Sequence, residues 1–406
     1  MLLPSRPLHV HFVLPKNAQS ATSRYRGWHF AEALSPDVRV SVNTVTDNRF
    51  TFDAPDIVVL HRLRYHGEAD RVLNAARQIG AVTVASVDDL IFSPEYAFQA
   101  GLTSPPDDPA FYRYHRAECD DHLRTLNECD AVITSTDFLA NEARIATNNA
   151  KPVHCLRNFL NAEMVTLANA AHELRTRRLQ THPATRTLAY LSGSPTHDVD
   201  FAEIAPVLAQ VMGNDANTRL LLVGTVTLPK VLQGMADAGR VRRHPFVPWR
   251  DLFALTAQAD VTLAPLDASR LFNHAKSEIK ALEAGAVGVP TTASHTVGAA
   301  EAGIATHCRT ASDWQAALTA SVAGDDVRAA VIQTGAVSAH RERVLSVYAE
   351  IAALKSGNAS RTATVTRPLR ERIEESLRGI EESWVRRRLR WERHERLLEA
   401  DLRKKG

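Results

Sequence analysis

Two series of short, β-branched apolar runs, each followed by helix-like stretches, leave few folds open to this chain. In the first series, LHVHFVL (8–14), DIVVLHR (56–62), AVTVASV (81–87) and AVITST (131–136) are each bounded by turn or polar residues. Runs this short and this continuously apolar read as strands covered on both faces, as in a parallel sheet. GEADRVLNAARQIG (67–80) and FLANEARIATNN (138–149) carry helical spacing between them. A pause follows at CLRNFLNAEMV (155–165) and the polar stretch AHELRTRRLQTH (171–182). The second series is TLAYLSG (187–193), RLLLVG (219–224), VRRHPFV (241–247), DVTLAPL (260–266) and VPTTAS (289–294), again with helical segments between the runs. Strands alternating with helices predict a doubly wound α/β fold, here twice over. The expected organisation is a Rossmann-like domain at 1–165 and a second at 166–355. Ligands of such folds sit at the carboxyl ends of the strands, in the cleft between halves.

Composition narrows the function classes. Lys and Arg number 48 against 46 Asp and Glu, a net charge of +2 that argues against a chain built around nucleic acid. The 4 cysteines (Cys119, Cys129, Cys155, Cys308) form no CxxC pair, so a cysteine zinc site or a disulfide framework is not expected and a reducing, cytoplasmic setting is. No apolar run is long enough to cross a membrane. The opening MLLPSRPLHVHFVLPKN lacks a small-residue cleavage pattern and reads as a first strand.

The stretch LAPLDASRLFNHAKSEIKALEAGAVGVPTTAS (263–294) carries the most chemistry. A strand ends at Leu266, a loop follows, and a helix is expected to begin near Ser277. Lys276 and Ser277 would then lie at a helix N-terminus, where backbone N–H groups and the helix dipole favour an anion. Lys280 and Glu283 follow on the same face. That face offers a phosphate-binding end and a carboxylate suited to ribose hydroxyls; the competing reading is a solvated helix with Lys and Glu supporting one another. In YLSGSPTHDVDF (190–201), Gly193 lets backbone approach a ligand and Ser194 and Thr196 offer hydroxyls near a helix start, while Asp198 or Asp200 could simply cap that helix. In KNAQSATSRYRGWHF (16–30), Arg24 and Arg26 are expected to face the cleft and meet phosphate or acceptor. Asp88 and Asp89 end a strand where cleft chemistry is expected, and either could orient an acceptor hydroxyl or act as base. His61, ending DIVVLHR, is a weaker candidate.

The string LAPL…FN.AKSEIKALEAGAVGVP resembles the nucleotide-sugar motif of GT-B glycosyltransferases, specifically the retaining glycosyltransferase family 4, or glycosyl transferases group 1. VPWRDLFALTAQADVTLAPL, CDAVITSTDFLANEA and RNFLN resemble the flanking segments of that family, and the likeness runs over about residues 8–350. It implies a GT-B architecture, with acceptor domain 1–165 and donor domain 166–355. It implies transfer of a sugar from a nucleoside diphosphate-sugar to a glycan or lipid-linked acceptor, with retained anomeric configuration and a place in cell-surface polysaccharide synthesis. Glu283 matches the second glutamate of the family motif, which binds ribose. The first falls on Ala275, so that contact to the donor sugar is absent. The basic pair that relatives carry after the first donor-domain strand is also absent, which leaves Lys276, Ser277 and His197 for the diphosphate. Phe246 and Val247 in HPFVPW fall where the family holds the base. No metal or cofactor is implied.

Two other readings remain at this level: a nucleotide-sugar epimerase or hydrolase of the same fold, and a degraded glycan-binding or scaffold subunit. SGNASRTATVT (356–366) opens a linker at 356–367. A basic amphipathic helix is expected over 368–406, with Leu377, Trp384, Trp391 and Leu398 at seven-residue spacing and Arg387 and His394 interrupting the second row. It suits docking on the inner membrane surface, pairing with a partner helix, or packing on the body.

Overall fold

Each of the runs becomes a parallel strand, and all but VRRHPFV lie inside a sheet. The computed structural model describes residues 7–46, 53–93, 109–181, 185–193, 197–296, 304–320 and 323–359. The expected helical tail 368–406 lies outside the described residues, as do positions 360–367 of the expected linker. The first sheet holds β1 (His9–Leu14), β2 (Arg39–Thr44), β3 (Ile57–His61), β4 (Val82–Val87), β5 (Ala131–Thr134) and β6 (Val153–Cys155), in the order β2-β1-β3-β4-β5-β6. The second holds β7 (Arg186–Ser192), β8 (Thr218–Gly224), β9 (Val241–His244), β10 (Val261–Ala264), β11 (Thr291–Ser294) and β12 (Ala305–Cys308), in the order β12-β11-β10-β7-β8-β9. All pairings are parallel. The doubly wound α/β expectation therefore holds, once per sheet.

Strand order reverses beside β1 in the first sheet and beside β7 in the second. Such switch points open a crevice at the carboxyl ends of the strands. Two glycines let the chain pass there. Gly27 lies in the π-helical turn Arg24–Trp28, and a Cβ on it would come within 2.6 Å of the Leu14 side chain at the end of β1. Gly224 ends β8 at φ +95°, and a Cβ there would stand 1.9 Å from the Ser192 carbonyl oxygen. The first lets the helix carrying Arg24 and Tyr25 settle on the end of β1; the second lets the ends of β7 and β8 converge.

The halves share core. Phe272 and Ala275, from the loop after β10, belong to one hydrophobic cluster with Leu63, Leu90 and Phe92 of the first half. The helix Val337–Ala359 leaves the second sheet for the first: the Tyr348 ring lies 6.2 Å from Phe12 of β1, and Arg341 donates to the Ala33 carbonyl at 2.7 Å and to Asp37 at 2.6 Å. That helix runs past residue 356, where the linker was expected to begin.

Several histidines sit within this framework. Burial pushes His11, His29 and His61 down to about 4 and His122 to about 3. A neutral buried histidine adds stability that is fully present above about pH 6.5. Below that the unfolded chain takes up protons that the folded chain refuses, so stability falls with pH. Each unit of depression is worth about 1.4 kcal/mol. The thermal midpoint should therefore be flat from pH 7 to 8 and fall steeply between 6.5 and 4. A midpoint unchanged across that window would contradict the buried-histidine account.

Candidate active site

The loop after β10 is pinned by a buried carboxylate. Asp200, in the first turn of the helix Asp198–Asn214, accepts hydrogen bonds from the Asp267 N–H at 2.8 Å and from Asn273 Nδ2 at 3.1 Å. Its other oxygen lies 2.8 Å from His197 Nδ1. Asp200 thus anchors the 267–274 loop rather than capping its own helix, whose N-cap is His197. The short helix Leu271–His274 follows, and then the helix Ile279–Ala286 with Glu278 at its N-cap. The helix begins two residues beyond the expected start at Ser277. Lys276 and Ser277 sit just ahead of it. Ser277 Oγ accepts from Asn158 Nδ2 at 2.9 Å, and Lys276 Nζ reaches across to Asp89 Oδ1 at 2.7 Å.

One turn further on, a cavity of about 550 Å³ opens between the halves. Gly193, Phe246, Val247, Lys280, Glu283 and Arg24 line it, so six residues singled out in the sequence share one space. Phe246 is 67% exposed, which rules out a core role. Arg24 holds its guanidinium 4.6 Å above the Trp249 ring and belongs to the wall. Glu283 accepts a hydrogen bond from the Tyr25 hydroxyl at 2.8 Å, and burial raises its carboxyl above the usual range. Lys280 Nζ lies 4.8 Å from the Tyr190 ring centroid, and burial lowers it to about 8. Neither Tyr25 nor Trp249 stood out in the sequence, although both sit in stretches that did.

Asp88 and Asp89 take different roles. Burial alone would raise the Asp88 carboxyl, but Arg62, His61 and the Thr22 hydroxyl outweigh it and bring it down to about 2. Asp88 accepts from Arg62 Nη1 at 3.1 Å and from Thr22, whose hydroxyl also lies 2.8 Å from His61 Nε2. Asp89 also meets Arg62 at 3.1 Å, but its other oxygen lies on Lys276. Arg62 stands at φ +50°, a strained position for a side-chain-bearing residue right after β3. Asp89 lines a second cavity of about 370 Å³ with Lys276, His197, Arg270, His115 and Glu118. The last two come from the helix Pro109–Glu128 and had no motif to announce them.

One expectation changes. Arg26 does not face the cleft: it is 2% exposed, and its guanidinium donates to the Leu156 carbonyl at 2.6 Å, Asn158 Oδ1 at 3.2 Å and the Thr134 carbonyl at 3.3 Å. It lies two residues from Arg24 on a helical turn, so the two side chains leave on different faces. Ser194 and Thr196 lie outside the described residues. Ala275, where the resemblance places a glutamate, is fully buried in the apolar cluster shared with Phe272, and a carboxylate there would be desolvated among hydrocarbon. Among the described residues no group of His, Cys, Asp and Glu gathers in a way that could hold a metal ion.

The division between the paired carboxylates has a direct consequence. Asp88→Asn should cost about 3 kcal/mol by leaving Arg62 and Thr22 badly matched in a buried place. Asp89→Asn, at the cavity wall, should cost clearly less. Urea unfolding of both variants at pH 7 checks this, and equal or reversed losses would contradict it.

Comparison with known proteins agrees with this geometry. Residues 196–348 match the family model described as glycosyl transferases group 1. No curated protein matches the chain in sequence. Among solved structures, Anabaena HepE in complex with UDP superposes with a TM-score of 0.52 at 12% identity, over 84% of this chain and 100% of its own. The α,α-trehalose 6-phosphate synthase of Burkholderia multivorans gives 0.50 at 15% identity, over 78% of this chain and 74% of its own. At such identities the likeness shows the fold. Two doubly wound parallel sheets give this chain a GT-B fold, and its residues 196–348 match glycosyl transferases group 1.

Proposed function

We propose that the chain transfers a glycosyl group from a nucleoside diphosphate-sugar to a hydroxyl of a glycan or lipid-linked acceptor, with retained configuration, in cell-surface polysaccharide synthesis. The single observation that carries the donor half of this reading is the 550 Å³ cavity. It is lined by an exposed aromatic ring, a glycine, a half-buried carboxylate and a half-buried lysine, surfaces suited to base, ribose and phosphate. The HepE structure, a complex with UDP, supports the same reading.

In this reading the base lies against Phe246 and Val247, and Glu283 accepts hydrogen bonds from the ribose hydroxyls. Lys280 and Lys276 face the phosphates, and Gly193 and His197 border them. As the bond from the anomeric carbon to the phosphate oxygen breaks, negative charge builds on the diphosphate, and Lys276 stabilises it where it forms. Asp89, in the adjoining cavity, accepts a hydrogen bond from the acceptor hydroxyl that attacks the anomeric carbon. With Ala275 buried, the polar groups available to the sugar are those of the 370 Å³ cavity, Asp89, His197 and Glu118 among them.

Binding to the folded state raises the thermal midpoint by mass action. Among UDP, GDP and dTDP, one should raise it, and Glu283→Gln should weaken that nucleotide at least tenfold. With Lys280 at about 8, its affinity should also fall from pH 7 to 9, and Lys280→Arg should flatten that slope. No shift with any nucleotide would overturn the donor reading.

A further inference from the structure

Lys276 is one of the two lysines expected to face the phosphates, yet in this structure its charge is already engaged. Its Nζ lies 2.7 Å from Asp89 Oδ1, across the cleft. Asp89 is itself held from the other side, with Oδ2 3.1 Å from Arg62 Nη1. Arg62 in turn is fixed by Asp88 at 3.1 Å and by its backbone N–H, which donates to the Ser86 carbonyl at 3.0 Å. The carboxylate is therefore a rigid feature of the first half. The lysine is the group that changes partner, on a stem packed over Phe272, with Nζ 4.6 Å from the ring centroid.

We propose that Asp89 couples the two substrates: in the donor-free protein it masks Lys276, and donor binding exchanges the Asp89–Lys276 pair for a phosphate–Lys276 pair, which frees Asp89 Oδ1 for the acceptor hydroxyl. The inference rests on the donor reading above and adds an order to it, donor before acceptor. A diphosphate carries more negative charge than one carboxylate and wins the lysine. Once it does, Asp89 Oδ1 faces the 370 Å³ cavity without its counter-ion while Oδ2 stays on Arg62, so the carboxylate keeps its aim. The reverse order is disfavoured. An acceptor hydroxyl is neutral, and to take Oδ1 first it would have to strip Lys276 from its ion partner with no phosphate to receive it. By linkage, donor and acceptor then raise each other's affinity by the same factor. Asp88 does not do this, since Thr22 and Arg62 occupy its oxygens inside the first half.

The test is isothermal titration of the full chain with UDP, GDP and dTDP, on wild type, Asp89→Asn, Lys276→Ala and the double variant. Loss of a carboxylate beside an anion site relieves repulsion in any case, so what distinguishes the coupling is its dependence on Lys276. Here Asp89→Asn should tighten the bound nucleotide threefold or more by unmasking Lys276, and should lower sugar transfer at least a hundredfold. The tightening should vanish when Lys276→Ala is already present. If Asp89→Asn does not fold, Asp89→Ser is read in the same way. Unchanged or weakened nucleotide binding in the folded Asp89 variant overturns the coupling, and so does an equal gain without Lys276. A wild type that binds none of the nucleotides, or a silent Lys276→Ala, overturns the donor reading instead.

Discussion

A buried arginine orders the first half's side of the cleft. Arg26 spends its N–H groups on two backbone carbonyls and on Asn158, and lies 4.5 Å from the Phe30 ring centroid. Burial works against its charge and lowers its pKa, and the acceptors on its two terminal nitrogens offset part of that cost while Nε–H has no partner. Asn158 passes the constraint on by donating to Ser277 Oγ, immediately ahead of the helix that carries Lys280 and Glu283. The start of that helix in the second half is thus set from the first half. Phe272 and Ala275 reinforce the link through shared apolar core.

This arrangement divides the cleft by chemistry. On one side are Phe246, Trp249 and Tyr25 with Glu283, a mostly apolar wall with a carboxylate held by a tyrosine. On the other are Arg62, Arg270 and Lys276 with Asp89, Glu118 and Asp200, a polar cavity where cations and carboxylates face one another. Lys276 and Lys280 stand one turn apart at the join. A molecule with a flat heterocycle at one end, negative charge in the middle and hydroxyls beyond would meet a matching surface along its whole length.

Much of this was legible in the sequence, and the exceptions share physical causes. Interior strands such as β1, β3 and β4 are buried along their length, so they appear as unbroken apolar runs. The edge strands β2, β6 and β12 did not, because each is only partly buried and so carries no unbroken apolar run. The residues of the donor-side helix fell where expected because helical spacing sets their common face. Beyond a strand end or on a single turn no period applies. Asp88 and Asp89, or Arg24 and Arg26, were therefore equal candidates until the chain was folded, and only one of each pair proved to line a cavity. His115 and Glu118 reach the cleft from a helix whose sequence carries no motif, and Asp200 looked like an ordinary helix cap.

The central claim is that the two cavities form one nucleoside diphosphate-sugar site that runs from Phe246 past Glu283 to Lys276. A crystal structure with the nucleoside diphosphate that raises the thermal midpoint tests it most directly. The account predicts the base against Phe246 and Val247, both ribose hydroxyls on Glu283 and the terminal phosphate on Lys276, now parted from Asp89. A nucleotide bound outside the cleft, or one whose ribose lies away from Glu283, would contradict it.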